Sequence, residues 1–210
     1  MRIPEHPIFL KSIEYIQSQI GFTGLDEIQQ SILERIIHSS GDMSLQSCLK
    51  FSPGACDSGI NALKTGAIII TDTFMAKAAV APLAKRTINA DVRCILEKAP
   101  ESIDPDLTTR SAISMKKVWL EFNKKQELLE PPIVLIGSSP TALMTLLDLI
   151  ETGSLLPSLI IGMPVGFIGV SESKTRLLNS NCPHIVLEGS RGGAALAAAT
   201  INALLRAADY

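Results

Sequence analysis

The feature that most constrains the fold of this chain is a repeated pattern that starts near Ala67. A short apolar run of strand length is followed each time by a loop rich in Gly, Ser, Thr or Pro and then by a helical stretch. The runs are continuously apolar rather than alternating, which is typical of strands covered on both faces in a parallel sheet. The pattern predicts an α/β fold, a doubly wound, mostly parallel sheet with helices on both faces. The five expected strands span residues 67–71, 92–96, 133–136, 159–161 and 184–187.

The N-terminal third has a different pattern and predicts helices. Residues 14–20 and 26–38 have helical patterns, and Asp26 is suited to cap the second of them. Asp57 or Ser58 could cap a further short helix that ends at Gly66. No linker composition separates the two parts. We therefore expect one domain, residues 1–210, in which a helical N-terminal part, 1–66, packs on the βα repeats of 67–210.

Composition predicts a sizeable core and weighs against nucleic-acid binding. The chain is 46% hydrophobic with a mean hydropathy of +0.28, so it can bury a sizeable core. Its 19 Lys and Arg against 21 Asp and Glu give a net charge of -2, and aromatic residues make up only 4%. Nucleic-acid binding needs clustered cations or stacking aromatic side chains, so that role is disfavoured.

The cysteines and the apolar runs predict a reduced, non-membrane environment. The four cysteines form no CxxC pair and have no histidine at metal-ligand spacing, which predicts free thiols and no metal site. No apolar run approaches the ~18 residues of a membrane span, and the first nine residues lack the apolar core of a signal peptide. We expect a cytoplasmic protein with no membrane partner.

In a doubly wound sheet, ligands bind beyond the carboxyl ends of the strands, so the loops there are the candidate site. Ser139 and Pro140 suit the start of a helix whose free N–H groups could hold a carboxylate or phosphate, although a capped helix without a ligand fits equally well. Three glycines within eight residues after the strand at 159–161 suggest close approach of the backbone to another group. The alternative is a tight turn into a helix capped by Ser171, with Lys174 merely solvated. Arg191, between glycines at another helix start, is a reasonable anion site.

Two further strand or helix ends carry candidate residues. Asp72 follows the first strand and could either cap the next helix or meet a ligand, and Arg110 is either a surface residue or a carboxylate clamp. A nucleotide- or phosphate-dependent enzyme is an alternative from the fold alone. The motifs GxxxxGK[ST] and GxGxxG are absent from these loops, so this alternative has little support.

His38 is the candidate acid or base. It lies near the end of a predicted helix with Asp42 four residues on, and an imidazole near a carboxylate can exchange protons near neutral pH. His6, in a segment with two prolines, and His184, at a strand start, favour structural roles. No GxSxG elbow or spaced carboxylate pair points to a hydrolase.

Five motifs together resemble one protein family. In chain order they are Arg35-x-x-His38-x-x-Gly41-Asp42, Thr71-Asp72-Thr73-x-Met75, Pro140-Thr141-Ala142-Leu143, Gly162-x-Pro164-Val165-Gly166-Phe167 with Glu172-Ser173-Lys174, and Gly189-x-Arg191-Gly192-Gly193. From about Ser12 to Leu204 this ordered set is similar to the precorrin-8X methylmutase family, the precorrin (or cobalt-precorrin) isomerases of corrin biosynthesis.

The resemblance implies an isomerase that needs no cofactor and no metal. A methyl group would move from C11 to C12 of precorrin-8X or cobalt-precorrin-8, which gives hydrogenobyrinic or cobyrinic acid. The catalytic histidine of the family matches His38, whose implied role is to protonate a ring nitrogen. Substrate contacts of the family fall on Ser12 and Arg110.

The implied substrate is a large flat tetrapyrrole edged with acetate and propionate groups, which requires an apolar slot and separated carboxylate sites. Helix starts and cations in the strand-end loops could provide those sites. With Ser12 and Arg110, the expected substrate-binding residues are Asp72, Thr141, Lys174, Arg191 and Gly192.

The resemblance also implies partners. We expect a homodimer, and tight retention of product would suit hand-over to the next enzyme of the corrin pathway. The chain departs from the family pattern at Ser138-Ser139 and at Ala194, where the carboxylate contacts are expected. A non-catalytic corrinoid-binding or carrier protein on the same fold is therefore the alternative.

Overall fold

The computed structural model describes residues 5–104, 108–124 and 130–209. The strands in this part of the chain are β1 Leu49–Phe51, β2 Ile69–Thr71, β3 Val92–Cys94, β4 Ile133–Ile136, β5 Leu159–Gly162 and β6 His184–Leu187. The helices are α1 Pro7–Ile20, α2 Glu27–Ser40, α3 Ala55–Lys64, α4 Phe74–Arg86, α5 Arg110–Lys124, α6 Pro140–Glu151, α7 Val170–Leu178 and α8 Ala194–Ala208. Short 3-10 turns span Met43–Ser47 and Ile95–Lys98.

The six strands form one sheet in the order β1-β6-β5-β4-β2-β3. All neighbouring pairs are parallel except β1 and β6, which are antiparallel. The predicted α/β, mostly parallel sheet is therefore confirmed. The chain leaves β2 toward β3 on one side and β4 toward β5 on the other, so the strand order reverses between β2 and β4. Ligand crevices form at such points because the two connecting loops diverge there.

Helices cover both faces of the sheet, which explains the continuous apolarity of the strands. Ile133 and Leu135 of β4 pack in one core with α2, α3, α4 and α8. Val134 and Ile136 of the same strand pack in a second core with α5, α6 and α7. Successive side chains of a strand point to opposite faces, so β2, β4, β5 and β6 supply apolar residues to both cores.

The N-terminal part contains the predicted helices but also an unexpected strand. Asp26 caps α2 by accepting the N–H of Gln29 at 2.9 Å, as its position predicted. Helix α1 begins earlier than expected, at Pro7, because Nδ1 of His6 caps it by accepting the N–H of Ile8 at 3.2 Å. Strand β1 was not predicted, because its three residues are too few to form a pattern and pair only through β6.

Two predicted helix caps are wrong. Helix α3 begins at Ala55 after Gly54 rather than at Asp57 or Ser58, and α7 begins at Val170 after Gly169 rather than at Ser171. Both glycines have left-handed backbone, with φ of 70°, which favours glycine and lets the chain turn into the helix without a side-chain cap.

Some expectations fall on residues that are not described. The charged helix end expected over 121–130 is described as helix only to Lys124, and residues 125–129 lie outside the described part. The first four residues of the N-terminus, where no signal peptide was expected, also lie outside it. Among the described helices, none is long and apolar enough to cross a membrane.

Candidate active site

The loops after β2, β4, β5 and β6 are joined by hydrogen bonds into one surface at the carboxyl edge of the sheet. The N–H of Met163 donates to the carbonyl of Ile136 at 2.8 Å, and the N–H of Gly193 donates to the carbonyl of Met163 at 2.9 Å. The N–H of Gly166 donates to the carbonyl of Ser190 at 3.0 Å. Residues far apart in sequence therefore meet at this edge, as the fold class predicted.

Asp72 supports this surface from beneath. It is 0% exposed, and its Oδ2 accepts the N–H groups of Ser138 at 2.6 Å and Ser139 at 2.8 Å. Burial raises the pKa of its carboxyl group, while the main-chain donors of 137–139 oppose that shift. The expectation that Asp72 caps α4 is wrong, because Thr73 caps that helix. Full burial also removes Asp72 from direct contact with a large ligand, so it positions the β4–α6 loop.

Arg110 and Thr141 are brought together through the starts of α5 and α6. The hydroxyl of Thr141 lies 2.7 Å from the hydroxyl of Thr109 and 3.0 Å from that of Ser139. Arg110 is the first residue of α5, and both Arg110 and Thr141 are exposed. Thr109 was not singled out from the sequence, although it precedes Arg110. The two predicted substrate-binding residues therefore share one patch of the surface.

Lys174 is buried, contrary to the interpretation that it is merely solvated. It is 1% exposed, and its Nζ donates to the carbonyls of Gly189 at 2.8 Å and Arg191 at 2.7 Å. Burial lowers its pKa to about 8, and the Cys48 thiol opposes that shift. Lys174 thus contacts the β6–α8 loop from inside the protein.

Gly192 allows the β6–α8 loop to pass close to the β5–α7 loop. A Cβ atom at this position would lie 2.1 Å from the carbonyl oxygen of Met163 and 2.8 Å from that of Pro164. Real Cβ atoms do not approach so closely, so any side chain would displace one of the two loops. The glycine of this predicted motif is therefore required by packing within the site surface.

Arg191 connects the strand-end loops to the end of α2. Its guanidinium forms an ion pair with Asp42 and donates to Sγ of Cys48 at 3.2 Å and to the hydroxyl of Ser44. Hydrogen bonds from Ser44, and then the Arg191 guanidinium, hold the pKa of Asp42 below its usual range. The pair is half-exposed, so it orients Arg191 more than it stabilises the fold.

His38 lies one helical turn before this ion pair and is exposed. Its Nδ1 lies 2.8 Å from the hydroxyl of Ser12, and the ring of Phe9 packs edge-on at 4.9 Å between ring centroids. Asp42 is engaged with Ser44 and Arg191, so Ser12 and not Asp42 is the hydrogen-bonding partner of His38. Helix α1 therefore orients the candidate acid.

Phe9 had no signal in the sequence beyond its apolar character. It also carries the guanidinium of Arg35, 4.8 Å above its ring centroid, and Arg35 forms an ion pair with Glu5. These contacts attach the start of α1 to α2 beside His38. The other two histidines are structural: His6 caps α1, and His184 is buried with its Nδ1 2.8 Å from the carbonyl of Cys182.

Large apolar side chains are exposed on the same loops. Phe167 and Ile168, on the β5–α7 loop, are each 89% exposed. Phe74 and Met75 begin α4 directly after the β2 loop and are also exposed, as is Val165. Exposed apolar groups that cluster on one surface mark binding sites for apolar ligands or partners.

Two helix starts on this edge have no side-chain cap. Helices α7 and α8 begin after Gly169 and Gly193, and neither glycine provides a capping oxygen. The first N–H groups of a helix lack partners within the helix and favour negative charge. In contrast, α6 is capped by the hydroxyl of Ser139, so its first N–H groups are partly used.

A cavity of about 450 Å³ lies elsewhere, between the α1–α2 turn and β1. Its lining includes Ser44, which contacts Arg191, but neither His38 nor the loops after β2, β4, β5 and β6. The candidate acid and the uncapped helix starts lie instead on the open edge of the sheet, so we place the site there. Within the described residues, no three His, Cys, Asp or Glu side chains are grouped to hold a metal ion.

An oriented, exposed histidine at the carboxyl edge of a parallel sheet, beside apolar side chains and anion-favouring groups, defines an α/β enzyme of the acid–base type. Comparison with known proteins identifies which one. The model of the precorrin-8X methylmutase family matches residues 7–207, and the chain belongs to that family.

Relatives and a solved structure agree with the family model. The chain is 35% identical to the cobalt-precorrin-8 methylmutase of Synechocystis sp., over 96% of this chain and 95% of the relative. It is 36% identical to the precorrin-8X methylmutase of Pseudomonas aeruginosa, over 94% and 93%. The crystal structure of the precorrin-8X methylmutase of Thermus thermophilus superposes with a TM-score of 0.85 at 32% identity, over 96% and 95% of the two chains.

The protein is therefore a methyl-shifting isomerase of cobalamin biosynthesis, as the motifs implied. Neither the family model nor the relatives support the alternative of a non-catalytic corrinoid carrier.

Proposed function

We propose that the methyl group of a precorrin-8-type tetrapyrrole moves from C11 to C12 on the strand-end edge of the sheet, with His38 as the acid. The single observation that carries this proposal is the orientation of His38. It is exposed beside the strand-end loops, and Ser12 and Phe9 of α1 hold its ring.

The geometry suits proton donation by Nε2. The Ser12 hydroxyl occupies Nδ1 at 2.8 Å, which leaves Nε2 as the ring nitrogen available to a substrate. A proton placed on a ring nitrogen of the tetrapyrrole draws electron density from the neighbouring carbons, and this eases migration of the methyl group. The proton returns to His38 when the product forms, so the reaction is a net isomerisation. General acid catalysis of this kind is typically worth roughly 10²–10⁴-fold.

The rest of the surface suits the two kinds of chemical group on the substrate, a flat apolar ring and carboxylates along its rim. Phe167 and Ile168 offer apolar area to a flat ring, and burial of such side chains is a main source of affinity. Arg110 and Arg191 offer cations to the acetate and propionate groups. The uncapped start of α8, after Gly192 and Gly193, offers N–H groups to another carboxylate. We assign Ser12, Arg110, Thr141, Arg191 and Gly192 to substrate binding.

An ultraviolet–visible titration with precorrin-8X and with cobalt-precorrin-8 tests this function. The wild type should convert the substrate spectrum to that of hydrogenobyrinic or cobyrinic acid. His38→Ala should bind the substrate with a similar dissociation constant and lose at least 100-fold in turnover. His6→Asn is the matched control, because it removes another imidazole while its side-chain oxygen can keep the cap of α1 by accepting the N–H of Ile8. Turnover by His38→Ala at the wild-type rate would refute His38 as the acid.

Four expectations, on domain organisation, location, assembly and hand-over of product, remain part of the proposal. We propose that residues 1–210 form one cytoplasmic domain that works as a homodimer and passes its product to the next enzyme of the pathway. Apolar side chains exposed along α1, Ile8 and Tyr15, support a self-contact. Light scattering coupled to size exclusion should give twice the 22.5 kDa chain mass, and a monomer mass would contradict the dimer.

A further inference from the structure

We propose that Lys174 is a positioning residue that sets the anion-binding shape and charge of the β6–α8 loop from inside the protein. The proposal rests on the proposed function only in assigning a carboxylate of the tetrapyrrole as the anion. It assigns to Lys174 an indirect role in binding rather than direct contact with the substrate.

Lys174 holds the β6–α8 loop through two main-chain carbonyls. The ammonium of Lys174 donates to the carbonyls of Gly189 and Arg191 at 2.8 and 2.7 Å. The carbonyl of the intervening residue, Ser190, points elsewhere and accepts the N–H of Gly166 at 3.0 Å. One buried cation therefore holds the carbonyls of Gly189 and Arg191, two alternate carbonyls of the turn over residues 189–192.

The direction of the N–H groups in this loop follows from peptide geometry. In a planar trans peptide the carbonyl and the next N–H point in opposite directions. Because the carbonyls of Gly189 and Arg191 point inward at Lys174, the N–H groups of Ser190 and Gly192 point away from it. Among the described residues, neither N–H has a hydrogen-bond acceptor. Both free N–H groups lie just before the uncapped start of α8, and N–H groups without partners at a helix start favour negative charge.

Lys174 is a buried cation without a partner carboxylate among the described residues. Lys174 is 1% exposed, and no described carboxylate lies within ion-pair distance of it. Nearby charges on adjacent elements are paired elsewhere. Arg176 of α7 pairs with Asp148 and Glu151 of α6, and Glu188 at the end of β6 pairs with Lys50. A carboxylate bound at the loop would therefore supply the missing counter-charge, across a short path of low dielectric where the attraction is strong.

The protonation state of Lys174 gives this arrangement a pH signature. Burial lowers the pKa of Lys174 to about 8, and Cys48 is the other titratable group that faces it. If only the protonated form binds the anion tightly, affinity must fall as pH rises through that value. A pKa of about 8 predicts a loss of about tenfold between pH 7 and pH 9. Arg191, also on the loop, keeps its charge over this range.

The experiment measures the dissociation constant of the product, hydrogenobyrinic acid, by spectrophotometric titration of the full chain. For Lys174→Met we expect at least a tenfold weaker dissociation constant at pH 7 and no further weakening at pH 9. Turnover at saturating substrate should stay within threefold of the wild type. Arg176→Met is the matched control, because it removes a cation two residues along the same helix that is paired with α6, and it should bind as the wild type does.

A second measurement needs no substitution of Lys174. The wild type and His38→Ala should each lose about tenfold in product affinity between pH 7 and pH 9, because both keep Lys174 and its surroundings. Cys48→Ser also keeps Lys174 and should keep a loss over this range, with a lower midpoint, because the Cys48 thiol raises the pKa of Lys174. Equal affinity of the wild type at the two pH values would overturn the proposal, as would wild-type affinity in a folded Lys174→Met. Loss of the pH dependence in Cys48→Ser or His38→Ala would also overturn it, because the titrating group would then be Cys48 or His38. Unchanged turnover in His38→Ala would overturn the proposed acid alone.

Discussion

Replacement of Asp72 tests how the loop at the strand-order reversal is held. In the described part of the chain, Oδ2 of Asp72 is the only oxygen that accepts the N–H groups of Ser138, at 2.6 Å, and Ser139, at 2.8 Å. Asp72→Ala removes this oxygen. An unsatisfied buried donor costs about 1–3 kcal/mol. Both serines are half-buried, so the lower half of that range applies to each N–H group. The two N–H groups together should therefore lower the free energy of unfolding by about 2–4 kcal/mol.

Asp72→Asn is the matched variant, because its amide oxygen can accept the same two N–H groups. Burial raises the pKa of the Asp72 carboxyl above its usual value, so the native state disfavours the charge. For such a group the native state binds more protons than the unfolded state, and stability falls as pH rises from the ordinary pKa through the raised one. Asp72→Asn lacks this loss. It should stay within about 1 kcal/mol of the wild type and gain on it between pH 4 and pH 7.

Urea unfolding followed by the fluorescence of the single tryptophan, Trp119, measures both effects, because this side chain is fully buried in the native core. An unfolding free energy of Asp72→Ala within about 0.5 kcal/mol of the wild type would refute the argument from unsatisfied donors. A wild type that gains stability over Asp72→Asn as pH rises from 4 to 7 would refute the assigned direction of the pKa shift.

Two further predictions concern residues in or beside the site. Gly192→Ala places a Cβ 2.1 Å from the carbonyl oxygen of Met163, so we expect a loss of about 1–3 kcal/mol in unfolding free energy and weaker product binding. Ser190→Ala, two residues earlier on the same loop, keeps the main-chain contacts and should change neither the unfolding free energy nor product binding. A Gly192→Ala variant as stable as Ser190→Ala would contradict the close approach of the loops. Ser12→Ala removes the hydrogen bond to His38, worth about 1 kcal/mol, so turnover should fall about fivefold, while the melting temperature should fall by no more than about 4 °C. Full turnover in Ser12→Ala would show that Phe9 alone orients the imidazole.

The relatives bear on the metal state of the substrate. One is named for cobalt-precorrin-8 and another for precorrin-8X, at 35% and 36% identity. Titration with both forms distinguishes the two substrates. We propose that the site residues meet the tetrapyrrole ring and its carboxylates, which the two substrates share.

Local sequence patterns were enough to predict much of the sheet and its helices. Strands β4 and β6 and helix α8 span the expected residues 133–136, 184–187 and 194–208. These elements were predictable because continuous apolar runs and flanking glycines act within a few residues of themselves. Strand β1 was missed because it has only three residues, too few to form a local pattern, and its pairing partner, β6, lies far away along the chain. The motifs were likewise sufficient to identify the family, since their order along the chain survives at modest identity.

The contacts that make a site from those motifs depend on tertiary structure. Ser12 and His38 are 26 residues apart, Asp72 and Ser138 are 66 apart, and Asp42 and Arg191 are 149 apart. Proximity along the chain suggested that Asp42 could tune His38, whereas in the structure Asp42 pairs with Arg191 of the β6–α8 loop. The sequence by itself thus determined the fold class, the family and the identity of the candidate acid. Only the tertiary structure decided which side chain orients that acid and which polar residues lie buried beneath the site, because those depend on how distant segments pack against the same sheet edge.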